Sequence, residues 1–415
     1  MNVARITHPG TKISAAITLP ASKSISNRAL ILNAVSNNIH TLHNLSEADD
    51  TVIMQRALAF HTGKIDLKNA GTCMRFLTAY IAATPGSEVT LNCDPRMELR
   101  PVSQLVNALR QLGADITYLH KDGFPPLRIS GQKLTGATLA IDASVSSQFI
   151  SAMMMIAPLC KGGLTLELTG RISSRPYIDM TARMMTQFGL DVEVSYPKIR
   201  IAALADTILQ PLSYTIEPDW SAAGYWYEIA ALSTDAEIQL ADLHTNSLQG
   251  DSIIAQHMEY FGVRTEEAAS GIIIRKGDPL PAQEIVHSFN LYHAPDMAPA
   301  LAVTAAATGI ETLLTGLDNL AIKESNRLEG IASELTRCGF GVTAYPAALH
   351  IHADEIEKST QNAPIRTYGD HRMAMAFAPL ALLFPGIIIE EPAVVDKSYP
   401  RFWNDLQKAG FDLKS

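Results

Sequence analysis

Leu105–Leu119, LVNALRQLGADITYL, reads as an amphipathic helix that stops at Gly113 and continues as an alternating strand. The same sentence is written again at residues 180–194 (MTARMMTQFGLDVEV, glycine at 189), 253–267 (IIAQHMEYFGVRTEE, glycine at 262) and 334–345 (ELTRCGFGVTAY, glycine at 339), with weaker copies at Gly63 and Gly410. Most copies lie about 75 residues apart, which makes the chain an array of large supersecondary units and not a short-period solenoid. A second set of positions keeps nearly this spacing: Ser24, Thr72, Ser147, Ser221, Asp296 and Asp370 each precede an Ala-, Leu- or Met-rich run. Hydroxyls and carboxylates at a helix start accept bonds from the free N–H groups of the first turn, so each position predicts the start of a buried helix. Each unit then holds one buried and one amphipathic helix, with strands such as TLHNL, EVTLNC, LTLELTG, ETLLTGL and IIIEEPAV forming sheets that the helices cover. The expected fold is mixed α/β (α+β), with two similar domains of three units each and the change near Tyr214–Asp219.

Length and composition agree with that reading. A chain of 415 residues, 47% of them apolar, is long enough for two domains, each with its own core. With 42 acidic against 33 basic residues the surface is mildly acidic, the wrong sign for a protein that neutralises nucleic-acid phosphates. The four cysteines, Cys73, Cys93, Cys160 and Cys338, stand far apart without a C-x-x-C pair, which suggests neither a disulfide framework nor a zinc site. Met1–Pro20 alternates like a strand and lacks the pattern of an export signal. The longest apolar stretch, Met373–Ile389, is broken by Pro379, Pro385 and Gly386, and so reads as a buried helix followed by a strand, not a membrane span. The expectation is a cytosolic monomer without nucleic-acid or membrane partners.

Charged and hydroxyl groups gather at the starts of the buried helices, where an ordinary core would avoid them. In residues 21–32, ASKSISNRALIL, Lys23, Ser24 and Arg28 surround a helix N-terminus, whose orphan N–H groups and dipole already favour anions. NAGTCMRFLTAY (69–80) sets Asn69 and Gly71 in a turn that a ligand can approach closely. DPRMELRPVSQLV (94–106) offers Arg96 and Arg100, suited to a bidentate grip on carboxylate or phosphate. SVSSQFISAMM (144–154) supplies Ser146, Ser147 and Gln148, and SSRPYIDM (173–180) adds Ser174 and Tyr177. Later in the chain come Asp296 in HAPDMAPALAV, Lys323, Glu324 and Arg327 in NLAIKESNRLEGI, Asp370, His371 and Arg372 in GDHRMAMAFAPLALL, and Lys397 in EEPAVVDKSYPRFW. Taken singly, each cluster also fits a capped helix, an exposed ion pair or an ordinary loop arginine. Six clusters on one position of six repeats argue for shared anion-binding ends.

With these segments assembled, the chain resembles the 5-enolpyruvylshikimate 3-phosphate synthases, members of the enolpyruvyl transferase family. ASKSISNRA, NAGTCMR, PRMELRP, SVSSQF, SRPYID, NSLQGD, PDMA, KESNRL, DHRMAM and DKSYP follow in that family's order and spacing. The resemblance implies a domain of residues 21–218 and a discontinuous one of 1–20 plus 219–415, whose closure assembles the site. It implies transfer of the enolpyruvyl group of phosphoenolpyruvate to the 5-hydroxyl of shikimate 3-phosphate, with release of phosphate, through a tetrahedral intermediate on the route to chorismate and the aromatic amino acids. An acid and a base must exchange roles between addition and elimination. The implied catalytic set is Asp296 as base, Glu324 as acid, Lys23 close to both, with His371 and Lys397. The implied shikimate 3-phosphate set is Lys23, Ser24, Arg28, Ser146, Ser147, Gln148, Ser174, Tyr177, Asp296, Asn319 and Lys323. For phosphoenolpyruvate it is Lys23, Asn69, Gly71, Arg100, Gln148, Arg327, Arg372 and Lys397. No metal or other cofactor is implied, because the cations meet the substrate charges directly.

Four places depart from that family's pattern: Ala21 for a common glycine, Phe76 for a usual proline, Asn326 for a common aspartate, and Leu320-Ala321 for a bulkier, basic pair. Phe76, one turn past Gly71 and Thr72, is expected to press on that backbone and lower sensitivity to glyphosate, which competes with phosphoenolpyruvate in the family. The alternatives are a UDP-N-acetylglucosamine enolpyruvyl transferase, which normally needs a loop cysteine absent from PRMELRP, and a non-catalytic metabolite-binding homologue, which would be expected to have lost Asp296, Glu324 or Lys397.

Overall fold

The computed structural model describes residues 3–204, 208–280, 286–353 and 364–414. The chain divides into two compact units: Lys23–Ile216, and Met1–Ser22 together with Glu217–Ser415. The first contains helices Lys23–Val35 (α1), Asp49–Leu58 (α2), Gly71–Ala82 (α3), Ser103–Gln111 (α4), Ser147–Ile156 (α5) and Arg175–Gln187 (α6). The second contains Trp220–Leu232 (α7), Ile254–Glu259 (α8), Ala298–Thr308 (α9), Arg327–Arg337 (α10), His371–Phe377 (α11) and Phe402–Lys408 (α12). Odd-numbered helices are the buried ones. In α7 every residue but Ser221 is buried, and all of α11 is buried. Even-numbered helices show one apolar face, as α4 does with Leu105, Val106, Ala108 and Leu109.

The repeat is also one of topology. In the first unit, strands Thr62–Asp66 and Glu88–Asn92 are parallel, joined across α3, while Leu127–Ser130 runs antiparallel between Glu88–Asn92 and the edge strand Asp115–Tyr118. Counted along the chain, the sheet order is 1-2-4-3. The sheet of Thr138–Asp142, Leu164–Thr169, Val192–Ser195 and Lys198–Ile201 has the same order, as do the sheets built on Asp235–Ala241 and on Thr312–Thr315 in the second unit. In each, a buried helix precedes the second parallel strand and an amphipathic helix and a hairpin follow it, and between Lys12–Ile17 and Asp235–Ala241 the connection also contains Lys23–Ile216. The other two units are reduced. One keeps a parallel pair, Thr41–His43 with Ser213–Thr215; the other is a three-stranded sheet in which Val3–Thr7 lies between Ile387–Glu390 and Asp412–Lys414.

Glycines close the amphipathic segments for a steric reason. Gly113, Gly189, Gly262, Gly339 and Gly410 all sit at φ between +79° and +97°, where a Cβ is disfavoured. The helix starts need correction in detail. Ser146, not Ser147, caps α5, and Asp219, not Ser221, caps α7, each side chain accepting from the N–H two residues on. Asp370 does cap α11. α1 and α3 begin at Lys23 and Gly71, one residue before the expected Ser24 and Thr72. Asp296 caps nothing: it occupies a 3-10 turn, Pro295–Met297, and its carboxylate is committed elsewhere.

The core of the second unit joins its two segments, with Ile6, Ile13, Ile17 and Leu19 packed among Trp220, Trp226, Met373 and Phe402. Burying each such side chain contributes about 1.5–3 kcal/mol. Among the described residues no helix is long and apolar enough to cross a membrane.

Candidate active site

Three carboxylates converge on one guanidinium in the second unit. Arg327, first residue of α10, is 1% exposed. Its Nε donates to Asp370 Oδ2 at 2.9 Å, Nη1 to Asp296 Oδ1 at 2.9 Å, and Nη2 to Glu324 Oε2 at 2.8 Å and Asp370 Oδ1 at 3.3 Å. Asp370 also accepts from the N–H of Arg372 at 3.0 Å, so the residue that caps α11 anchors Arg327 as well. Further cations close around the other two carboxylates. Arg372 Nη2 is 3.0 Å and Lys323 Nζ 3.5 Å from Asp296, while Lys397 Nζ is 3.4 Å from Glu324 Oε1. Burial by itself would raise the Asp296 carboxyl, but Arg372, Lys323 and Arg327 outweigh it and hold the group well below the ordinary carboxylate range. His371, buried in the same helix start, has Nδ1 3.6 Å from Asp370 Oδ1.

Behind Arg372 lies a carboxyl of opposite character. Ser221 Oγ is 3.5 Å from Arg372 Nη2 and donates to Asp251 Oδ2. Burial, reinforced by the like charge of Asp296, pushes the Asp251 carboxyl up to about 6 against the pull of Arg372 and Ser221.

The unit Lys23–Ile216 carries its own polar cluster at the starts of α1, α3, α5 and α6. Lys23 Nζ is 3.4 Å from Asp50 Oδ2 in the first turn of α2. Arg28 is buried: Nε donates to Thr181 Oγ1 at 2.8 Å, Nη1 to the Ser24 carbonyl at 2.9 Å and Nη2 to Ser151 Oγ at 3.2 Å. Its guanidinium lies 5.3 Å from the Phe76 ring centroid and 5.7 Å from that of Tyr177. Burial lowers it to about 10, with Tyr177 opposing the change. At Gly71 a Cβ would fall 2.6 Å from Arg100 Nη1 and 2.7 Å from Arg75 Nη1, so two guanidinium groups press on this helix start through the space that glycine leaves. Gln148 Nε2 donates to Thr72 Oγ1 at 3.3 Å, and Ser174 stands at φ +50° before α6.

The EPSP synthase (3-phosphoshikimate 1-carboxyvinyltransferase) family matches residues 7–60 and 55–406. A 3-phosphoshikimate 1-carboxyvinyltransferase of Bacteroides fragilis (strain YCH46) is 46% identical over 411 residues, 97% of this chain and 97% of that protein. The chain belongs to the EPSP synthase family. A namesake from Vibrio cholerae serotype O1 (strain M66-2) is 37% identical, with 94% of this chain and 96% of that protein covered. In fold, the EPSP synthase of Acinetobacter baumannii superposes at a TM-score of 0.76 over the whole of both chains at 22% identity. The enolpyruvyl transferase NikO of Streptomyces tendae follows at 0.71, covering 99% of this chain and 98% of that one at 16% identity.

Set against the EPSP synthase pattern, the expected residues fall into two groups. Asp296, Lys323, Glu324, Arg327, His371, Arg372 and Lys397 form one connected polar cluster, with Asn319 at the start of the 3-10 turn Leu320–Ile322 before it. Lys23, Ser24, Arg28, Asn69, Gly71, Arg100, Ser146, Ser147, Gln148, Ser174 and Tyr177 belong to the other unit. Two positions differ from the expectation of an open cationic grip. Arg28 supports Ser24 and Tyr177 from beneath, and Arg327 is already paired on every nitrogen, because each is more buried than its sequence neighbours suggest. Phe76 is directed at Arg28. Asn326 caps α10 by accepting from Glu329 N–H at 3.4 Å, as an aspartate would. Asp50, Arg75, Thr181 and Asp251 were missing from the sequence reading. Each has a partner 22 to 153 residues away, too far for local spacing to mark it, although Arg75 and Thr181 also bond carbonyls four residues back.

Proposed function

We infer that this chain transfers the enolpyruvyl group of phosphoenolpyruvate to the 5-hydroxyl of shikimate 3-phosphate, releasing inorganic phosphate and forming 5-enolpyruvylshikimate 3-phosphate. The observation that carries the mechanism is the pairing of Asp296 and Glu324 with cations, Lys323, Arg372 and Lys397, that substrate anions can claim. In the reaction, protonation of the phosphoenolpyruvate methylene makes its C2 electrophilic, and the 5-hydroxyl adds as it loses its proton. Phosphate then leaves as the methyl group returns a proton and the enol double bond reforms.

Asp296 is assigned as base for the hydroxyl and Glu324 as acid for the methylene carbon, with Lys23, His371 and Lys397 completing the catalytic set. While surrounded by Arg372, Lys323 and Arg327, Asp296 is a weak base. A substrate phosphate or carboxylate that draws Arg372 or Lys323 to itself lifts this restraint, so basicity appears only when substrate is bound. Glu324 is placed in the same way, with Lys397 as the cation that a substrate anion can draw off. The shikimate 3-phosphate assignment keeps Ser24, Ser146, Ser147, Gln148, Ser174, Tyr177, Asn319 and Lys323, with Arg28 as their support. The phosphoenolpyruvate assignment keeps Lys23, Asn69, Gly71, Arg100, Gln148, Arg372 and Lys397, and Arg327 joins it only by exchanging a carboxylate partner.

The test is phosphate release from phosphoenolpyruvate with and without shikimate 3-phosphate. Release that needs both supports the reading, and none with both present sinks it. Asp296→Ala and Glu324→Gln are expected to lower kcat by at least a hundredfold with much smaller changes in substrate Kd. Undiminished turnover in either variant would reassign that residue.

A further inference from the structure

We propose that Glu311, His350 and His352 form a binding site for one divalent transition-metal ion of the zinc type, separate from the Asp296 cluster. Strands Thr312–Thr315 and Ala348–Ile351 are antiparallel with Thr312 opposite Ile351, a register that, continued one step, sets Glu311 across from His352. Leu349 and Ile351 face the core, so the alternation of the strand sends His350 and His352 together to the outer face. Glu311 joins them there from the neighbouring strand. One ligand atom of each residue lies within 4.8 Å of the others. His350 Nε2 is 2.9 Å from Glu311 Oε1, and the two imidazole rings are 4.3 Å apart between centroids.

A histidine–glutamate pair explains one imidazole but not the second beside it. Two imidazoles and one carboxylate are the donor set of a zinc site with three protein ligands, in which the fourth position stays open to water. The outer shell is also in place. His352 Nε2 is 2.8 Å from Thr343 Oγ1, a partner that orients the ring. Glu311 and His350 are about a quarter exposed, which gives the ion an entry path without leaving the ligands free in solvent. The ion would tie two adjacent strands of one sheet, so its direct consequence is resistance of that unit to unfolding.

Full-length protein treated with a chelator and desalted is titrated with Zn2+ by calorimetry, and with Co2+ by visible absorption. One ion per chain is expected, with the intense d–d bands of a tetrahedral cobalt site. His350→Ala, His352→Ala and Glu311→Gln should each weaken binding at least tenfold, whereas His120→Ala, an exposed imidazole in the other unit, should leave it unchanged. Should a variant fail to fold, the native chain supplies a second readout: Zn2+ should protect two histidines, identified by peptide mapping as residues 350 and 352, from diethyl pyrocarbonate. Absence of binding, binding unaltered in the folded variants, or protection of other histidines instead overturns the proposal. Phosphate release does not enter any of these measurements, so their failure and that of the catalytic reading remain distinguishable.

Discussion

Asp251 puts a carboxyl where burial outweighs the pull of Arg372. Among the described residues its Oδ1 has no hydrogen-bond partner, and Ser221 donates to Oδ2. Because burial raises its folded-state value to about 6, above the unfolded carboxylate near 3.8, the folded chain holds this proton more tightly. The sign follows: stability falls as pH rises from 4 to 6, and above that range the buried charge costs the fold roughly 2–3 kcal/mol. Asp251→Asn should therefore stabilise the protein at pH 8 by about that amount and leave it nearly unchanged at pH 4, as read from urea midpoints. An equal shift at both pH values would show that ionisation is not the cause. Arg327 is the contrasting case, a charge whose burial is compensated by three carboxylates; its loss would take from Asp370 its guanidinium partner, while Asp296 keeps Arg372 and Lys323 and Glu324 keeps Lys397. Asp296 is legible as a residue of interest because it sits at a repeated position, and Arg327 because it stands four residues from Lys323. Asp251 is not, since its role depends on Ser221, 30 residues away, and on burial that no local pattern reveals.

The glycine that ends each amphipathic segment is visible in the sequence, but its weight differs from copy to copy. Gly113 and Gly262 have similar backbones, φ +97° and +79°. A Cβ at Gly113 meets nothing within 4 Å, whereas at Gly262 it would fall 2.5 Å from the Gly277 carbonyl and 2.9 Å from Pro279 N, both backbone atoms. Gly113→Ala should cost about 1 kcal/mol, the strain of the left-handed conformation alone. Gly262→Ala should cost at least 2–3 kcal/mol, because the adjoining loop must also move. Equal urea midpoints for the two variants would contradict that difference. The sequence pattern thus marks where a helix must stop; what packs over the stop comes from a loop after the next hairpin. Helix starts divide in the same way. Ser146, Asp219 and Asp370 cap, as local chemistry predicts, while Asp296 at an equivalent place turns to Arg327, 31 residues on.

At the scale of the molecule, Met1–Ser22 completes the unit formed by Glu217–Ser415, and the three tryptophans, Trp220, Trp226 and Trp403, all lie there. The strands of Lys23–Ile216 pair among themselves. Removal of residues 1–19 should therefore shift tryptophan emission to the red, as the sheets built on Val3–Thr7 and Lys12–Ile17 lose a member, and leave a cooperative far-UV transition from Lys23–Ile216. Unshifted emission would mean that the second unit needs neither strand. The tandem repeat made two domains readable, but the sequence has no periodic mark for the strand that crosses back between ends of the chain; only the family resemblance suggested it. Val3–Thr7 lies between Ile387–Glu390 and Asp412–Lys414, hydrogen-bonded on both edges to residues synthesised long after it. At 5–20 residues per second, that strand waits about 20–80 s for either neighbour, a period in which Lys23–Ile216 can be finished. A strand made early is thus paired late, and the growing chain must keep an unpaired β-edge out of trouble throughout that interval.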